Sequence, residues 1–302
     1  MQQLEYKGTV IKECFFERKN INKFEAIFTQ GNGYLGIRNA LEEHYVGEIR
    51  DTFITGTFNK ASEEEVTELP NIADVSAVKI VVDGEEFSLT EGNIISYERC
   101  IDLSTGETQR RVEWESKKGT KLNLVFRRFV SLDNEHIFVQ KVELLCDQDA
   151  NIIIESGIDG SVTNSGAMHF EDIQRRVYDG KYMEYIAKTT QSHVKVIQGA
   201  VCSLNKEASV IPVMGRRTLA NRYSLKVNAN EKLEFEKKSI FFSERDKEFT
   251  HLEEENRLEE IKKESAKLIR ELEELSYDEL FKRSKSKWKE YFDKSKIDIG
   301  TD

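Results

Sequence analysis

The chain has few of the residues that build metal sites and disulfides. None of its four cysteines belongs to a C-x-x-C pair, and dozens of residues separate them: Cys14, Cys100, Cys146 and Cys202. Its five histidines are equally scattered, so no metal-ligand spacing is present. Isolated cysteines in a chain of 302 residues are typical of reduced thiols. We therefore predict a cytoplasmic protein with no metal or other cofactor.

Long apolar runs and an excess of positive charge are also missing. The N-terminal residues MQQLEYKGTVIKECFFERKN lack the apolar core of a signal peptide. Aliphatic runs such as 152–154 are far too short to span a bilayer. The net charge of −10 disfavours a nucleic-acid partner, which would need a basic face. We expect neither a membrane nor a nucleic acid as a partner.

Residues 1–244 alternate between β-strand patterns and turn residues. The pair Asp83-Gly84 separates two apolar runs, 78–82 and 85–89, and predicts a hairpin. Further candidate strands are 111–115, 122–130, 136–145, 151–155, 193–204, 224–227 and 233–242. No long helical pattern intervenes. This pattern predicts a mainly β domain, a large antiparallel sandwich or barrel.

Residues 245–302 form a second segment with a helical pattern. More than half of residues 245–292 are charged, and none is Gly or Pro. Apolar and small residues recur every three or four positions, as in an amphipathic helix: Leu258, Ile261, Ser265, Leu268, Leu272 and Leu275. A capping box, Ser276 to Glu279, starts a second helix, whose predicted buried residues are Leu280, Phe281, Trp288 and Tyr291. We interpret the charges as a solvated face, with a partner-binding coiled coil as the alternative.

A glycine motif near the N-terminus needs its own interpretation. Gly31, Gly33 and Gly36 have the spacing G-x-G-x-x-G, and Asp51 follows at the position of a ribose-binding acid. A dinucleotide site requires a βαβ unit around such glycines, and the order of strands and helices here contains none. We therefore reject a nicotinamide site and predict that the glycines allow positive φ and close strand packing.

The same segment, "FTQGNGYLGIRNALEE", resembles the start of glycoside hydrolase family 65, where N-G-Y-L-G-x-R is typical. Other stretches resemble the N-terminal domain of that family in order along the chain: "TFITGTFN", "ELPN", "YERCIDLSTGETQRRVEW", "RRFVSLDNEHIFVQKVEL" and "SGIDGSVTN". The terminal "WKEYFDKSKIDIGTD" resembles the linker that enters the catalytic barrel of the family.

The resemblance implies a two-sheet β-supersandwich over 1–244, linker helices over 245–302 and a following (α/α)6 barrel. It implies inverting phosphorolysis of an α-linked glucose disaccharide (maltose, kojibiose, nigerose or trehalose) by inorganic phosphate, although some members hydrolyse trehalose. The products would be β-glucose 1-phosphate and a free sugar. The general acid and the phosphate site belong to the barrel, so we assign no catalytic residue here. We expect a scaffold that is inactive alone and contributes to a homodimer.

Two other functions are open. A free-standing carbohydrate-binding sandwich would use some of the aromatic residues, 10% of the chain, as stacking platforms. A mutarotase-like enzyme would need a histidine and a carboxylate that converge on a sugar, and the scattered histidines give no support for one.

Four residues are candidates for the border of a sugar pocket. Asp159, Asn164 and His169 belong to a Gly-rich loop, for which turn chemistry is the first interpretation and a pocket border the second. Arg38 lies in the glycine motif, where we predict a buried structural ion pair first and a sugar contact second.

Other chemically capable residues receive a structural interpretation. We predict that three acidic groups, 42–43, 63–65 and 85–86, lie on the solvated surface. Two arginine pairs, 127–128 and 216–217, could hold phosphate, but we expect them to flank strands or meet acidic residues. Tyr97 and Trp114 could stack on sugars, but we predict core packing.

Overall fold

Antiparallel strands dominate the structure, a computed structural model that describes residues 2–295. The strands are β1 (Leu4–Lys7), β2 (Val10–Glu13), β3 (Gln30–Gly31), β4 (Leu35–Ile37), β5 (Thr52–Ile54), β6 (Val78–Val82), β7 (Glu85–Glu86), β8 (Asn93–Asp102), β9 (Glu107–Glu115), β10 (Lys121–Val130), β11 (Ile137–Cys146), β12 (Ala150–Asp159), β13 (Phe170–Tyr178), β14 (Tyr182–Thr189), β15 (Lys195–Leu204), β16 (Ser209–Met214), β17 (Thr218–Val227) and β18 (Leu233–Ser243). The helices are a 3-10 turn (Arg18–Asn20), α1 (Ile21–Ile27), α2 (Glu254–Glu273) and α3 (Tyr277–Ser295). No helix of the described part is long and apolar enough to cross a membrane.

A ten-stranded sheet forms the middle layer of the molecule. Its order is β1-β2-β8-β9-β10-β11-β18-β15-β14-β13, and neighbouring strands are antiparallel. Strand β10 buries alternate side chains, Leu122, Leu124 and Phe126, as a strand with one core-facing side does. Near its end Phe129 and Val130 are both buried, because the other face of the sheet is also covered there.

A five-stranded sheet packs on the inner face of the ten-stranded sheet. Its order is β16-β17-β12-β6-β7. Side chains of both sheets form one apolar core that includes Trp114, Phe126, Ile154, Leu219 and Phe235. Tyr97 belongs to the same core. The prediction of a mainly β chain with a large antiparallel two-sheet sandwich is confirmed. The predicted core packing of Tyr97 and Trp114 is confirmed as well.

The glycine motif lies in a third, small sheet of order β3-β4-β5. Gly31 and Gly36 are directly opposite each other in β3 and β4, and Gly33 has φ +94 in the turn between them. Asn32 Oδ1 accepts hydrogen bonds from the N–H groups of Tyr34 (3.0 Å) and Leu35 (2.8 Å). These amides are therefore engaged within the turn, and the motif forms a hairpin instead of a phosphate-binding loop. The preceding helix α1 was not predicted.

The helical segment covers the outer face of the ten-stranded sheet. Helix α2 contacts β15 and β18, and α3 contacts β11. Ile261 and Leu272 of the predicted stripe are buried in a second core, together with Phe129 and Ile240 of the sheet. The capping box is present, since the N–H of Glu279 donates to Ser276 Oγ at 3.3 Å and the N–H of Ser276 donates to Glu279 Oε2 at 2.9 Å.

The end of α3 differs from the prediction. Leu280 is buried, but Tyr291 is 62% exposed, so its predicted burial is wrong. Among the described residues of α3, the second core includes side chains from its first turns, Tyr277, Leu280 and Phe281. Gly106 (φ +71) lies against Trp288, whose indole ring a Cβ atom at that position would overlap.

The predicted linker sequence extends beyond the described residues. Its last part, residues 296–302, lies outside them. Strand β18 ends at Ser243 and α2 begins at Glu254, whereas the division into two domains at residue 244 stays a prediction.

Candidate functional site

A cleft of about 540 Å³ opens where three loop segments meet beside the end of β12. The segments are 44–53, 68–71 and 159–165. The lining residues are His44, Glu48, Ile49, Arg50, Asp51, Phe53, Glu68, Asn71, Asp159, Ser161, Val162, Thr163, Asn164 and Ser165. Two of the four candidate residues from the sequence, Asp159 and Asn164, therefore line one cleft.

Two asparagine side chains tie the three segments together. Asn164 Oδ1 accepts a hydrogen bond from the N–H of Asn71 at 2.7 Å, and Asn164 Nδ2 donates to the carbonyl oxygen of Leu69 at 3.1 Å. Asn71 Oδ1 in turn accepts from the N–H of Thr52, and Asn71 Nδ2 donates to the carbonyl oxygen of Arg50, both at 2.7 Å. These bonds satisfy backbone groups that loops otherwise leave open, and they hold the cleft in one shape.

Asp159 has one oxygen in a turn and one that remains for other partners. Its backbone pairs with that of Asp74 in an isolated antiparallel bridge. Its Oδ1 accepts hydrogen bonds from the N–H (2.8 Å) and the hydroxyl (2.5 Å) of Ser161. Its Oδ2 has no partner among residues 2–295. The turn interpretation therefore describes only half of this carboxylate.

Two further carboxylates in the cleft show the same pattern. Asp51 and Glu68 each have one oxygen bonded to a neighbouring side chain, and their second oxygens have no described partner. Burial raises the pKa of Asp51 above its ordinary value, although Arg38 acts in the opposite direction. The cleft therefore offers several acceptor oxygens at its surface.

His169 lies behind the cleft and is 2% exposed. Asn59 Oδ1 accepts from the N–H groups of Gln191 and Ser192, both at 3.0 Å, which places Asn59 Nδ2 toward His169 Nδ1 at 3.0 Å. Nδ1 of the ring must then accept, and Nε2–H donates to Glu68 Oε1 at 2.8 Å. Both ring nitrogens are occupied, so His169 positions Glu68 at the cleft and has no nitrogen left for a ligand.

Arg38 stands outside the cleft lining and has a structural partner. Its Nε contacts Glu25 Oε2 at 3.4 Å, and its Nη2 donates to the carbonyl oxygen of Asn22 at 2.9 Å. Burial raises the pKa of Glu25, which Arg38 partly offsets. The backbone N–H of Arg38 donates to the carbonyl oxygen of Asp51, so the glycine motif supports one wall of the cleft. A sugar contact for any of the four candidate residues stays a prediction.

Comparison with known proteins identifies the family. The profile described as "Glycosyl hydrolase family 65, N-terminal domain" matches residues 11–291. The chain belongs to this family. Kojibiose phosphorylase from Halothermothrix orenii is 38% identical over 304 residues, which cover 98% of this chain and 38% of that protein. Kojibiose phosphorylase from Escherichia coli is 28% identical and covers 97% of this chain.

Other relatives agree with the resemblance seen in the sequence. Nigerose phosphorylase from Lachnoclostridium phytofermentans is 25% identical over 91% of this chain and 38% of its own length. A solved structure of a human-microbiome protein, assigned as a kojibiose phosphorylase, superposes with a TM-score of 0.85 at 18% identity. The superposition covers 96% of this chain and 39% of the solved chain. At this identity the similarity supports the fold and no further property. The chain thus spans less than two fifths of the length of these relatives.

This family 65 domain contains a buried ion network. Two of its members, Glu42 and Glu43, were predicted from the sequence to lie on the surface. Glu42 and Glu43 are 4% and 3% exposed, so the prediction that they are solvated is wrong. Arg110 donates to Glu42 Oε2 at 2.7 Å and to both oxygens of Glu43 at 2.5–2.6 Å. Arg128 Nη1 lies 3.5 Å from Glu42 Oε1. The other two acidic groups, 63–65 and 85–86, are exposed or half-buried.

The charges of this network stabilise one another. Burial acts to raise the pKa of Glu42, but the Arg128 and Arg110 guanidinium groups outweigh it and hold that pKa below its ordinary value. Burial lowers the pKa of Arg128 to about 10, against the attraction of Glu42. Because its carboxylates are enclosed and face arginines, we assign this network a structural role. The alternation of β9 was the signal for it, because Arg110 shares the inward face with Val112 and Trp114.

Three of the four arginines considered for phosphate have carboxylate partners. Arg127 Nε donates to Glu107 Oε1 at 2.8 Å, and the arginine after it belongs to the network described above. Arg217 Nε donates to Asp172 Oδ1 at 2.8 Å, and Arg216 is exposed. Neither pair therefore presents two unpaired guanidinium groups side by side.

A cluster of His136, Asp246 and Glu248 joins the glycine motif to the segment before α2. His136 Nδ1 donates to the carbonyl oxygen of Phe241 at 2.8 Å, and Nε2 faces Glu248 Oε1 at 3.0 Å. Asp246 Oδ2 accepts from the hydroxyl of Tyr34 at 3.1 Å, and burial raises the pKa of Asp246 to about 6. The three residues have the chemistry of metal ligands, yet the two buried members already have hydrogen-bond partners. We interpret the cluster as a structural junction.

Proposed function

We propose that this chain is the N-terminal scaffold and linker of an inverting disaccharide phosphorylase. The observation that carries the proposal is the match to the family 65 N-terminal domain over residues 11–291. The relatives are phosphorylases of kojibiose, nigerose and trehalose, and this chain corresponds to 38% of the Halothermothrix orenii protein. The catalytic barrel of the proposed enzyme would lie outside these 302 residues.

The proposed reaction needs a phosphate site and a general acid. Inorganic phosphate would attack the anomeric carbon on the face opposite the leaving oxygen, while a carboxylic acid protonates that oxygen. The glycosidic C–O bond breaks, and β-glucose 1-phosphate and a free sugar form. Four arginines have carboxylate partners, Arg110, Arg127, Arg128 and Arg217, and the cleft is acidic. These observations support a scaffold whose partner barrel supplies the acid and the phosphate site.

Activity measurements on two lengths of the protein test the proposal. The 302-residue chain and the full-length gene product that contains it would each be incubated with phosphate and kojibiose, nigerose, maltose or trehalose. We expect glucose 1-phosphate from at least one disaccharide with the full-length protein and none with the chain alone. Circular dichroism and a cooperative thermal transition are the control that the shorter chain is folded.

Two outcomes would contradict the proposal. Glucose 1-phosphate formed by the chain alone would place the catalytic machinery within these residues. A gene that encodes no helical barrel after Asp302 would contradict the proposal that this chain is part of a longer phosphorylase. The homodimer, the cytoplasmic location and the role of phosphate as co-substrate stay predictions, and light scattering tests the first of them.

A further inference from the structure

We propose that the cleft formed by segments 44–53, 68–71 and 159–165 binds a neutral saccharide. The proposal goes beyond the scaffold function and does not depend on it, because every group that it uses belongs to this chain. Its basis is the shape, charge and spacing of the polar groups in the cleft.

The cleft has the size and rigidity of a small-molecule site. Its volume of about 540 Å³ lies within the range of ligand pockets, roughly 300–1,000 Å³. The side chains of Asn71 and Asn164 hold its three segments together, and His169 positions Glu68. A ligand would therefore meet groups that are already ordered, which lowers the entropy lost on binding.

The charge of the cleft disfavours anions. Four carboxylates and one guanidinium line it: Glu48, Asp51, Glu68, Asp159 and Arg50. Arg50 Nε is bonded to Glu48 Oε1 at 2.8 Å, and its side chain is only 7% exposed, so this positive charge is not available to a ligand. Phosphate or a sugar phosphate would meet like charge on several sides.

The spacing of the carboxylates disfavours a bound metal ion. A cation site needs three or more ligand atoms within a few ångströms of one another. Within residues 2–295, the group of His, Cys, Asp and Glu side chains that meets this condition is His136, Asp246 and Glu248, which is outside the cleft. The acceptors of the cleft are instead distributed along its walls.

Distributed acceptors beside an apolar wall suit a polyhydroxylated ring. Asp51, Glu68 and Asp159 each present one oxygen without a described partner, and a sugar hydroxyl can donate to a carboxylate in a charge-assisted hydrogen bond. Ile49 is 40% exposed and Phe53 is half-buried at the same cleft, and they offer surface for the C–H face of a pyranose. The combination matches a mono- or disaccharide.

Nuclear magnetic resonance with the 302-residue chain tests the proposal directly. Glucose, maltose and kojibiose would be titrated separately, with inorganic phosphate, calcium ion and free arginine as the other probes. We expect millimolar binding of at least one sugar, with amide shifts concentrated in 48–53 and 159–165. Phosphate and calcium ion are expected to leave these amides unchanged.

Substitutions that keep the turn geometry give the second test. Asp159→Asn retains the Oδ1 acceptor for Ser161 and replaces the other oxygen with a donor, so the loop is expected to keep its shape. The loss of one hydrogen bond to a charged group weakens binding about tenfold or more. Asp51→Asn is a second variant of the same design. The matched control is Glu63→Gln, an exposed carboxylate outside the cleft, which is expected to leave sugar affinity unchanged.

Several results would overturn the proposal. Sugars that cause no shifts, or shifts confined to other surfaces, would exclude a saccharide site here. Calcium ion or arginine that shifts the cleft amides in the absence of any sugar effect would identify a cation site instead. If Asp159→Asn, Asp51→Asn and the control Glu63→Gln all bind sugar as tightly as the unsubstituted chain, these carboxylates do not contact the ligand. None of these results bears on phosphorolysis by the full-length protein.

Discussion

Two acidic regions of this domain differ in how completely their carboxylates are paired. Between the sheets, both oxygens of Glu43 accept from Arg110, and Glu42 lies between Arg110 and Arg128. In the cleft, Asp159 uses one oxygen in a turn and has no described partner for the other. Carboxylates whose bonds are satisfied inside the protein hold the fold together, whereas half-used carboxylates in a rigid cleft are available to a ligand.

Removal of one partner from the buried network is expected to have the largest effect. Arg110→Ala leaves Glu43 enclosed without the arginine that bonds both of its oxygens and removes one of the arginines that face Glu42, which costs about 3–5 kcal/mol of the free energy of unfolding. Urea unfolding monitored by circular dichroism measures it. The control is Arg111→Ala, on the same strand with a side chain that is 58% exposed, which should change stability by no more than about 0.5 kcal/mol. Equal losses for both variants would show that the network is not stabilising.

Glu42→Gln is expected to have the next largest effect, and the effect depends on pH. The arginines hold the pKa of Glu42 below its ordinary value. Its charge therefore contributes stability above the unfolded pKa, about 4.3, and the contribution is lost as pH falls through the lower folded value. We expect a loss of about 2–3 kcal/mol at neutral pH that shrinks toward about pH 3. Unfolding free energies at both pH values measure this, and a loss that is independent of pH would contradict it.

Asn164→Ala is expected to destabilise the domain by about 1–3 kcal/mol, because it leaves the N–H of Asn71 and the carbonyl of Leu69 without partners. The same change should weaken sugar binding by loosening the cleft. Asn93→Ala is the control, since Asn93 is exposed and has one weak contact, at 3.5 Å. Thermal unfolding and sugar titration measure the two effects, and unchanged values for Asn164→Ala would show that this side chain does not hold the cleft.

The sequence predicts best those strands and helices that have one solvated face and one buried face. Strand β10 and the α2 stripe follow their expected periods because each has one core-facing side at those positions. The edge strands β13 and β16 were not predicted, because nearly all of their side chains are exposed or half-buried and no apolar alternation marks them. Strand β14 was missed for the opposite reason: its faces are buried by the sandwich and by the helices.

The candidate site was predictable only where it depends on local turns. Asp159 and Asn164 were chosen from turn chemistry, and both line the cleft. Glu42 was misplaced because its partner Arg110 is 68 residues further along the chain, and no local pattern links them. The cleft itself combines three distant segments, so its volume and charge follow from the tertiary fold alone.

Asp51→Asn is expected to have the smallest effect, with the opposite sign to Glu42→Gln. Burial raises the pKa of Asp51, so its protonated form contributes stability below the unfolded pKa, about 3.9, that is lost as pH rises through the folded value. The Asn variant keeps the Oδ1 acceptor toward Asn71 and carries no charge. It should therefore be more stable than the wild type at neutral pH, by no more than about 1 kcal/mol, with no difference near about pH 3.

Unfolding at the two pH values measures the difference, and Asp133→Asn, on an exposed turn, is the control that should leave stability unchanged. A less stable Asp51→Asn variant at neutral pH would mean that this carboxylate is paired as completely as Glu42, and the contrast between the two regions would fail. The same substitution is expected to weaken sugar binding. A change that raises stability while it lowers affinity is typical of a residue retained for binding and not for folding.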